Sequence, residues 1–201
     1  MLQLRLPLVL ASGSPRRREL LARLGLTFEV VPSDADETWP LAEPPGRAAE
    51  IIAARKAEAV AESRPDALVL GADTVVVLDG EVLGKPPTPE AARATLRRLA
   101  GREHTVYTGL ALAHGGRTVT AHEATAVRFG PLAEDEIAAY VATGSPMDKA
   151  GAYGIQDDLG SLFVAGLTGD YFNVVGLPLH RLYATLKAHF GDAVRVAAAG
   201  G

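Results

Sequence analysis

The sequence predicts an α/β fold in one domain. Short apolar runs rich in Val and Leu alternate with helix-periodic stretches from residue 6 to residue 63, the pattern of strands connected by helices. Two turn pairs, Asp79–Gly80 and Gly115–Gly116, each join two β-rich runs into a hairpin. Neither a linker nor an internal repeat divides the 201 residues, a length that suits one domain, or one elongated domain with two lobes, with its own core.

In chain order, "LPLVLAS" (6–12) is a buried strand. Ser14 follows as N-cap with Pro15 at the first helical position, and "RRRELLARLG" carries Leu20, Leu21 and Leu24 before Gly25 stops the helix. "TFEVVPS" (27–33) reads as a second strand, "DADETWPLAEPPG" as an acidic, Pro-rich loop and "RAAEIIAARKAEAVAES" as an amphipathic helix. "DALVLGADTVVVLDG" is β-rich with a bend expected at Gly71, and "EVLGKP" returns as a short strand. Thr88 and Pro89 cap a helix that runs to about Ala100. "HTVYTGLALAH" and "RTVTAHEATAVRF" alternate as paired strands, and "LAEDEIAAYVATG" is a helix with acids in its first turn, where the macrodipole favours them. "GAYGIQ", "LFVAGLTG" and "DYFNVVGLP" read as β- and loop-rich, "LHRLYATLKAHF" as a closing helix, and residues 196–201 as a disordered tail.

Composition narrows the function. A net charge of −4 argues against a chain-wide basic footprint for DNA or RNA, and the absence of Cys excludes disulfides and thiolate–zinc sites. No apolar run reaches the ~20 residues of a membrane span, and the first residues lack a signal-peptide pattern, so a cytoplasmic protein is expected. The sequence has no G-x-x-x-x-G-K-[ST] loop, no G-x-G-x-x-G, no H-E-x-x-H and no G-x-S-x-G. The five histidines have no metal-ligand spacing, and none is expected to be catalytic.

What remains is a set of polar residues in particular places. Arg16, Arg17 and Arg18 fill a first helical turn, where each cation is unfavourable by ~0.3–1 kcal/mol. Either an anion binds there, held by backbone N–H groups after Gly13 and Ser14 and by the forks of Arg16 and Arg17, or the turn is simply solvated. Of the 20 basic residues only four are Lys, among them Lys56 and Lys85; a compact ammonium is wanted where an Arg-rich chain still uses it. Asp73 sits in an apolar run, where a carboxylate coordinates a cation, accepts a proton or caps a turn, and Lys85 lies one hairpin away. Asp34, Asp36 and Glu37 lie on the acidic loop, and Gln156 ends "KAGAYGIQ" with a donor and an acceptor suited to a base edge. Together these make a phosphoanhydride site with a recognition group.

The strings "LASGSPRRRELL", "GADTVVVLDGEVLGKP", "KAGAYGIQ" and "GDYFNVVGLPL" resemble, in order, the Maf family of nucleoside triphosphate pyrophosphatases, over roughly residues 8 to 187. The resemblance implies an elongated, two-lobed α/β domain (1–195) around a long mixed sheet with a cleft between the lobes, similar to the inosine triphosphate pyrophosphatases. It also implies a homodimer, a divalent cation (Mg²⁺ or Mn²⁺), and conversion of a nucleoside triphosphate to the monophosphate and pyrophosphate. Asp73 matches the catalytic aspartate, as proton acceptor or as metal ligand, and Glu37 matches an acidic position near the metal. Ser14, Arg16, Arg17, Lys56 and Lys85 match the triphosphate-binding set, whereas Arg18 matches a variable, solvated position. Arg16, Thr74 and Gln156 match the branch acting on dTTP and UTP. Asp157 departs from that branch, whose members often carry Gly there, and places an acid beside Gln156. The alternative function is a nucleotide-binding regulator of cell division, which has no use for a carboxylate at the position of Asp73.

Overall fold

The structure, a computed structural model, describes residues 2–196. Residues 197–201 of the expected tail lie outside the described residues, while Val196 ends a strand. The chain has the mixed α/β architecture that the sequence predicts. Its elements in order are β1 (Leu2–Leu4), β2 (Leu8–Leu10), α1 (Pro15–Ala22), β3 (Glu29–Val30), α2 (Pro45–Ala61), β4 (Leu68–Leu78), β5 (Glu81–Leu83) and α3 (Pro89–Leu99). Then follow β6 (Glu103–His114), β7 (Arg117–Phe129), α4 (Glu134–Ala142), three short 3-10 turns between 145 and 163, β8 (Val164–Thr168), α5 (Tyr171–Val175), α6 (Leu179–Phe190), a 3-10 turn at 191–193 and β9 (Val194–Val196). β1 pairs with β9 in an antiparallel ribbon, and the other strands form one mixed sheet in the order β3-β2-β4-β6-β7-β8, with β5 on β4. No helix among the described residues is long and apolar enough to cross a membrane.

The described chain gathers into two compact units, one of residues 2–73, 108–123 and 176–196, the other of residues 74–107 and 124–175. In the first unit β2 pairs in parallel with β3 on one side and with β4 on the other, Val9 facing Glu29 and Val69. The chain therefore leaves β2 toward β3 and returns across it to β4. Parallel sheets place ligands beyond the strand C-termini at such a reversal, because loops diverge there and leave a crevice. The core beside it is built of small side chains, with Val9, Ala11, Ala53, Ala57, Val60, Val69 and Ala111 all buried.

Gly71 is where structure and expectation part. The strand does not bend there; it runs unbroken over eleven residues. A Cβ on Gly71 would lie 2.2 Å from the Ala53 carbonyl oxygen, and one on Gly109 would lie 2.4 Å from that of Ala49. Both glycines are thus flat ground for α2, whose Ala48, Ala49, Ala53 and Ala57 are fully buried. Small residues on both surfaces bring helix and sheet close.

The second unit holds the two-residue turn at Asp79 (φ 52°) and Gly80 (φ 80°), a left-handed pair as Asp-Gly hairpins require. Its core is aromatic: His104, Phe129 and Tyr153 meet edge to face at 4.7–5.4 Å, and Tyr140 packs on Phe163 at 5.2 Å. "DYFNVV", read from its alternation as β or loop, is instead helix α5. The Asp170 carboxylate accepts from Phe172 N at 2.7 Å and starts the helix, while buried Asn173 donates to Val106 O and Thr125 Oγ1, both at 2.9 Å. Local polar bonding overrides β propensity here.

Candidate active site

In the first unit the loop after β2 and the far part of β4 bring acids and bases together. Ser14 caps α1 as predicted: its Oγ accepts from Arg17 N at 3.5 Å, and Pro15 opens the helix. The backbone donors expected to be available for an anion are partly spent, since Ser14 N donates to Ser12 Oγ at 3.2 Å and Arg18 N to Ser14 O at 3.2 Å. An anion at this helix end therefore depends on the arginine side chains more than on the backbone.

Arg17 is fixed in place. Its Nε donates to Gly176 O at 2.9 Å and one terminal nitrogen donates to Ser12 Oγ at 3.2 Å. Gly176, the acceptor, has φ 125°, a conformation open to glycine. Burial pulls Arg17 below the ordinary guanidinium value, and Arg16 acts in the same direction, while Asp73 and Glu37 oppose them. So Arg16, Asp73 and Glu37 all act electrostatically on Arg17. Arg16 is half-buried and Arg18 exposed.

The centre of the cluster is Lys56. Its Nζ donates to Asp73 Oδ1 at 2.8 Å and pairs with Glu37 Oε1 at 3.1 Å. The side chains of Lys56 and Asp73 keep only 9% and 14% of their exposure, whereas Glu37 keeps 55%. Such a buried pair is costly to desolvate and adds little to net stability, so it is retained for another reason. Lys56 lies on the buried stripe of α2 formed by Ala49, Ala53, Ala57 and Val60. The close seat of that helix on Gly71 sets where its ammonium arrives.

Glu37 and Asp73 are two carboxylates converging on one cation, the Lys56 ammonium. Among the described residues no group of three or more His, Asp or Glu is placed to hold a metal. Glu37 and Asp73 therefore offer a partial site. That fits Mg²⁺ or Mn²⁺, which take one or two protein carboxylates and fill the remaining positions with substrate oxygens and water.

Thr74, Lys85 and Gln156 belong to the second unit. Thr74 follows Asp73 directly in β4. β5 ends at Leu83, which pairs with Val76, so exposed Lys85 lies two residues past the return strand rather than within it. The "KAGAYGIQ" loop docks on the same hairpin: Gly151 N donates to Gly84 O at 3.2 Å, and a Cβ on Gly151 would lie 2.9 Å from Val76. Gln156 is exposed, and its Nε2 donates to Asp157 Oδ1 at 3.1 Å.

Sequence reasoning passed over Ser12, Gly176 and the partners of Asp157. Ser12 reads in the sequence as the end of a strand, and Gly176 lies 159 residues from Arg17, a separation at which no local pattern signals a contact. The scarcity of Lys points to Lys56 in the sequence, and its place among buried alanines on α2 is a second sign.

Comparison with known proteins bears on this cluster. A family model described as Maf-like protein matches residues 7–189. The chain is 56% identical over 201 residues to the dTTP/UTP pyrophosphatase of Salinibacter ruber, covering 99% of this chain and 98% of that protein. It is 60% identical over 186 residues to the dTTP/UTP pyrophosphatase of Moorella thermoacetica, covering 92% and 95%. Against the protein of that name from Symbiobacterium thermophilum the identity is 52% over 193 residues, covering 96% and 98%.

Proposed function

Because the chain belongs to the Maf-like protein family, we propose that it hydrolyses dTTP and UTP, with modified pyrimidine triphosphates, to the monophosphate and pyrophosphate. The observation that carries this reading is the half-buried Asp73 carboxylate held by Lys56 at 2.8 Å, with Glu37 on the same ammonium. A protein that only binds a nucleotide gains nothing from withdrawing a carboxylate beside the phosphates. An enzyme that must activate water does.

In this reading Arg16, Arg17 and Ser14 bind the polyphosphate, and Lys56 and Lys85 neutralise its charge. Such positioning and electrostatic stabilisation supply most of the catalysis in phosphoryl chemistry. Lys56 turns from Asp73 toward the phosphates as substrate arrives, which frees Oδ1 to orient a water and accept its proton. That water cleaves the bond between the α and β phosphates, and pyrophosphate leaves. Glu37 and Asp73 would hold a divalent cation, which would supply further charge neutralisation on the polyphosphate. Thr74 and Gln156, with Arg16, select the base. The protein acts as a single Maf-like domain over residues 1–195, as a homodimer, in the cytoplasm.

The test is to incubate the protein with Mg²⁺ and a panel of nucleoside triphosphates and to separate the products. Pyrophosphate with dTMP or UMP is expected. Orthophosphate with diphosphates would overturn the assignment, since it means attack at the terminal phosphorus.

A further inference from the structure

Asp157 is bound in an unusual way for an acid on an exposed loop. Its Oδ2 accepts from Tyr140 Oη at 2.8 Å and from Ser145 Oγ at 2.5 Å, and Lys149 Nζ stands 3.3 Å away. Lys149 is buried and also donates to Ser145 O at 2.6 Å. Two glycines make room for this arrangement. A Cβ on Gly154 would lie 2.7 Å from the Asp157 carboxylate, and one on Gly160 would lie 2.9 Å from the Tyr140 hydroxyl. Tyr140 is itself fixed, accepting from Gly154 N at 3.0 Å, and burial together with its bond to Asp157 pushes its hydroxyl well above the ordinary phenol value, so it stays a donor.

These donors all converge on one carboxylate oxygen. The other, Oδ1, faces Gln156 and accepts from Nε2 at 3.1 Å. A carboxylate can only accept, so it holds the Gln156 amide in one of its two orientations, with NH₂ toward Asp157 and Oε1 available as an acceptor.

We infer that Asp157 is a specificity-determining positioning residue: it holds Gln156 as an acceptor, so that Oε1 receives the N3–H of a uracil or thymine base. Cytosine presents an unprotonated acceptor at N3 and is disfavoured at that contact. This inference rests on the pyrophosphatase reading and names the atom by which its base is selected.

The geometry provides a one-atom test. In Asp157→Asn the new amide must turn its oxygen toward Lys149, which can only donate, and its NH₂ then faces Gln156. The Gln156 amide turns over in response and presents Nε2, a donor, to the base. The kcat/KM ratio for UTP over CTP is expected to fall at least about tenfold in D157N, the scale of one misplaced base-edge hydrogen bond, with loss on UTP and gain on CTP. In a Gln156→Ala background the same change is expected to leave the ratio unmoved, because the effect travels through Gln156. A purely structural role would lower both substrates together.

A D157N protein that melts like the wild type and keeps the wild-type ratio overturns the inference, as does an equal shift in the Gln156→Ala background. Should D157N not fold, Asp157→Gly frees the amide to rotate; its ratio is expected to fall below that of the wild type while staying above that of Gln156→Ala, in keeping with a branch that often carries Gly there, and an unchanged ratio again overturns the inference. Wild-type protein that releases no pyrophosphate from either nucleotide would instead defeat the pyrophosphatase reading, and this inference with it.

Discussion

Asp73 and Lys56 hold one another 2.8 Å apart with little access to water, and this pairing separates binding from turnover at the level of single residues. In Asp73→Asn the side chain keeps its shape and can turn its amide oxygen toward Lys56. What it loses is the ability to accept a proton or to bind a cation as an anion. Turnover is expected to fall roughly 10²–10⁴-fold, the usual contribution of a general base, while nucleotide affinity stays within a few fold. Pyrophosphate release and equilibrium titration with nucleotide measure the two separately, and near-normal turnover would remove Asp73 from the chemistry. The residues of this cluster were legible in the sequence to different degrees. Arginines in a first helical turn and an aspartate in an apolar run stand out against what those settings favour. Ser12 and Gly176 show no such conflict: a serine at a strand end and a glycine before Leu177 are ordinary until Arg17 is seen bonded to both.

Elements matter here through how closely they approach. From β2 through α4 the predicted order of helices and strands is the observed order, since capping residues, turn pairs and periodicity are local signals, whereas the short edge strand β1 was not predicted. The purpose of Gly71 was not legible, because a glycine inside a strand reads equally as a bend or as a close approach, and only the position of α2 decides. That choice has a measurable consequence. Gly71→Ala puts a methyl 2.2 Å from the Ala53 carbonyl oxygen and 2.9 Å from Ala57 N, both helix backbone. Relief requires α2 to move, at a cost of about 1–3 kcal/mol or more, the range for overpacking a core. A melting temperature lower by several degrees is expected, together with a loss of activity as Lys56 shifts with its helix. Gly191→Ala, in helical conformation with open space around it, is the matching control and is expected to be near neutral. Equal melting temperatures for the two variants would show that α2 does not press on the sheet at Gly71. Helix α5 escaped prediction for a related reason: Asn173 is buried because its amide reaches Val106 and Thr125, residues far away in sequence.

The stability of the whole molecule is tied to pH through a histidine that does no chemistry. His104 is 2% exposed, between Phe129 and Tyr153, and its Nε2 lies 2.8 Å from Tyr153 Oη. Its Nδ1 has no partner among the described residues. Burial pushes the imidazole down to about 4, from an ordinary value of 6.5. As pH drops below 6.5 the unfolded chain takes up a proton that the folded chain refuses, so stability falls with pH until the folded state also protonates near 4. Glu50 acts in the same direction: burial tends to raise its carboxyl, but bonds from His122, Arg47 and Thr120 outweigh this and hold it below the ordinary value, so acid removes that contribution too. The share of His104 is separable by substitution. His104→Gln keeps an N–H for Tyr153 and cannot titrate. It is expected to be less stable than the wild type at pH 7, with the deficit shrinking by roughly 2–3 kcal/mol at pH 4.5, the free energy corresponding to that displacement of the imidazole. Urea unfolding at both pH values measures it. Parallel curves for the two proteins would mean that His104 protonates as readily in the fold as in water, and that the aromatic core around it is open to solvent.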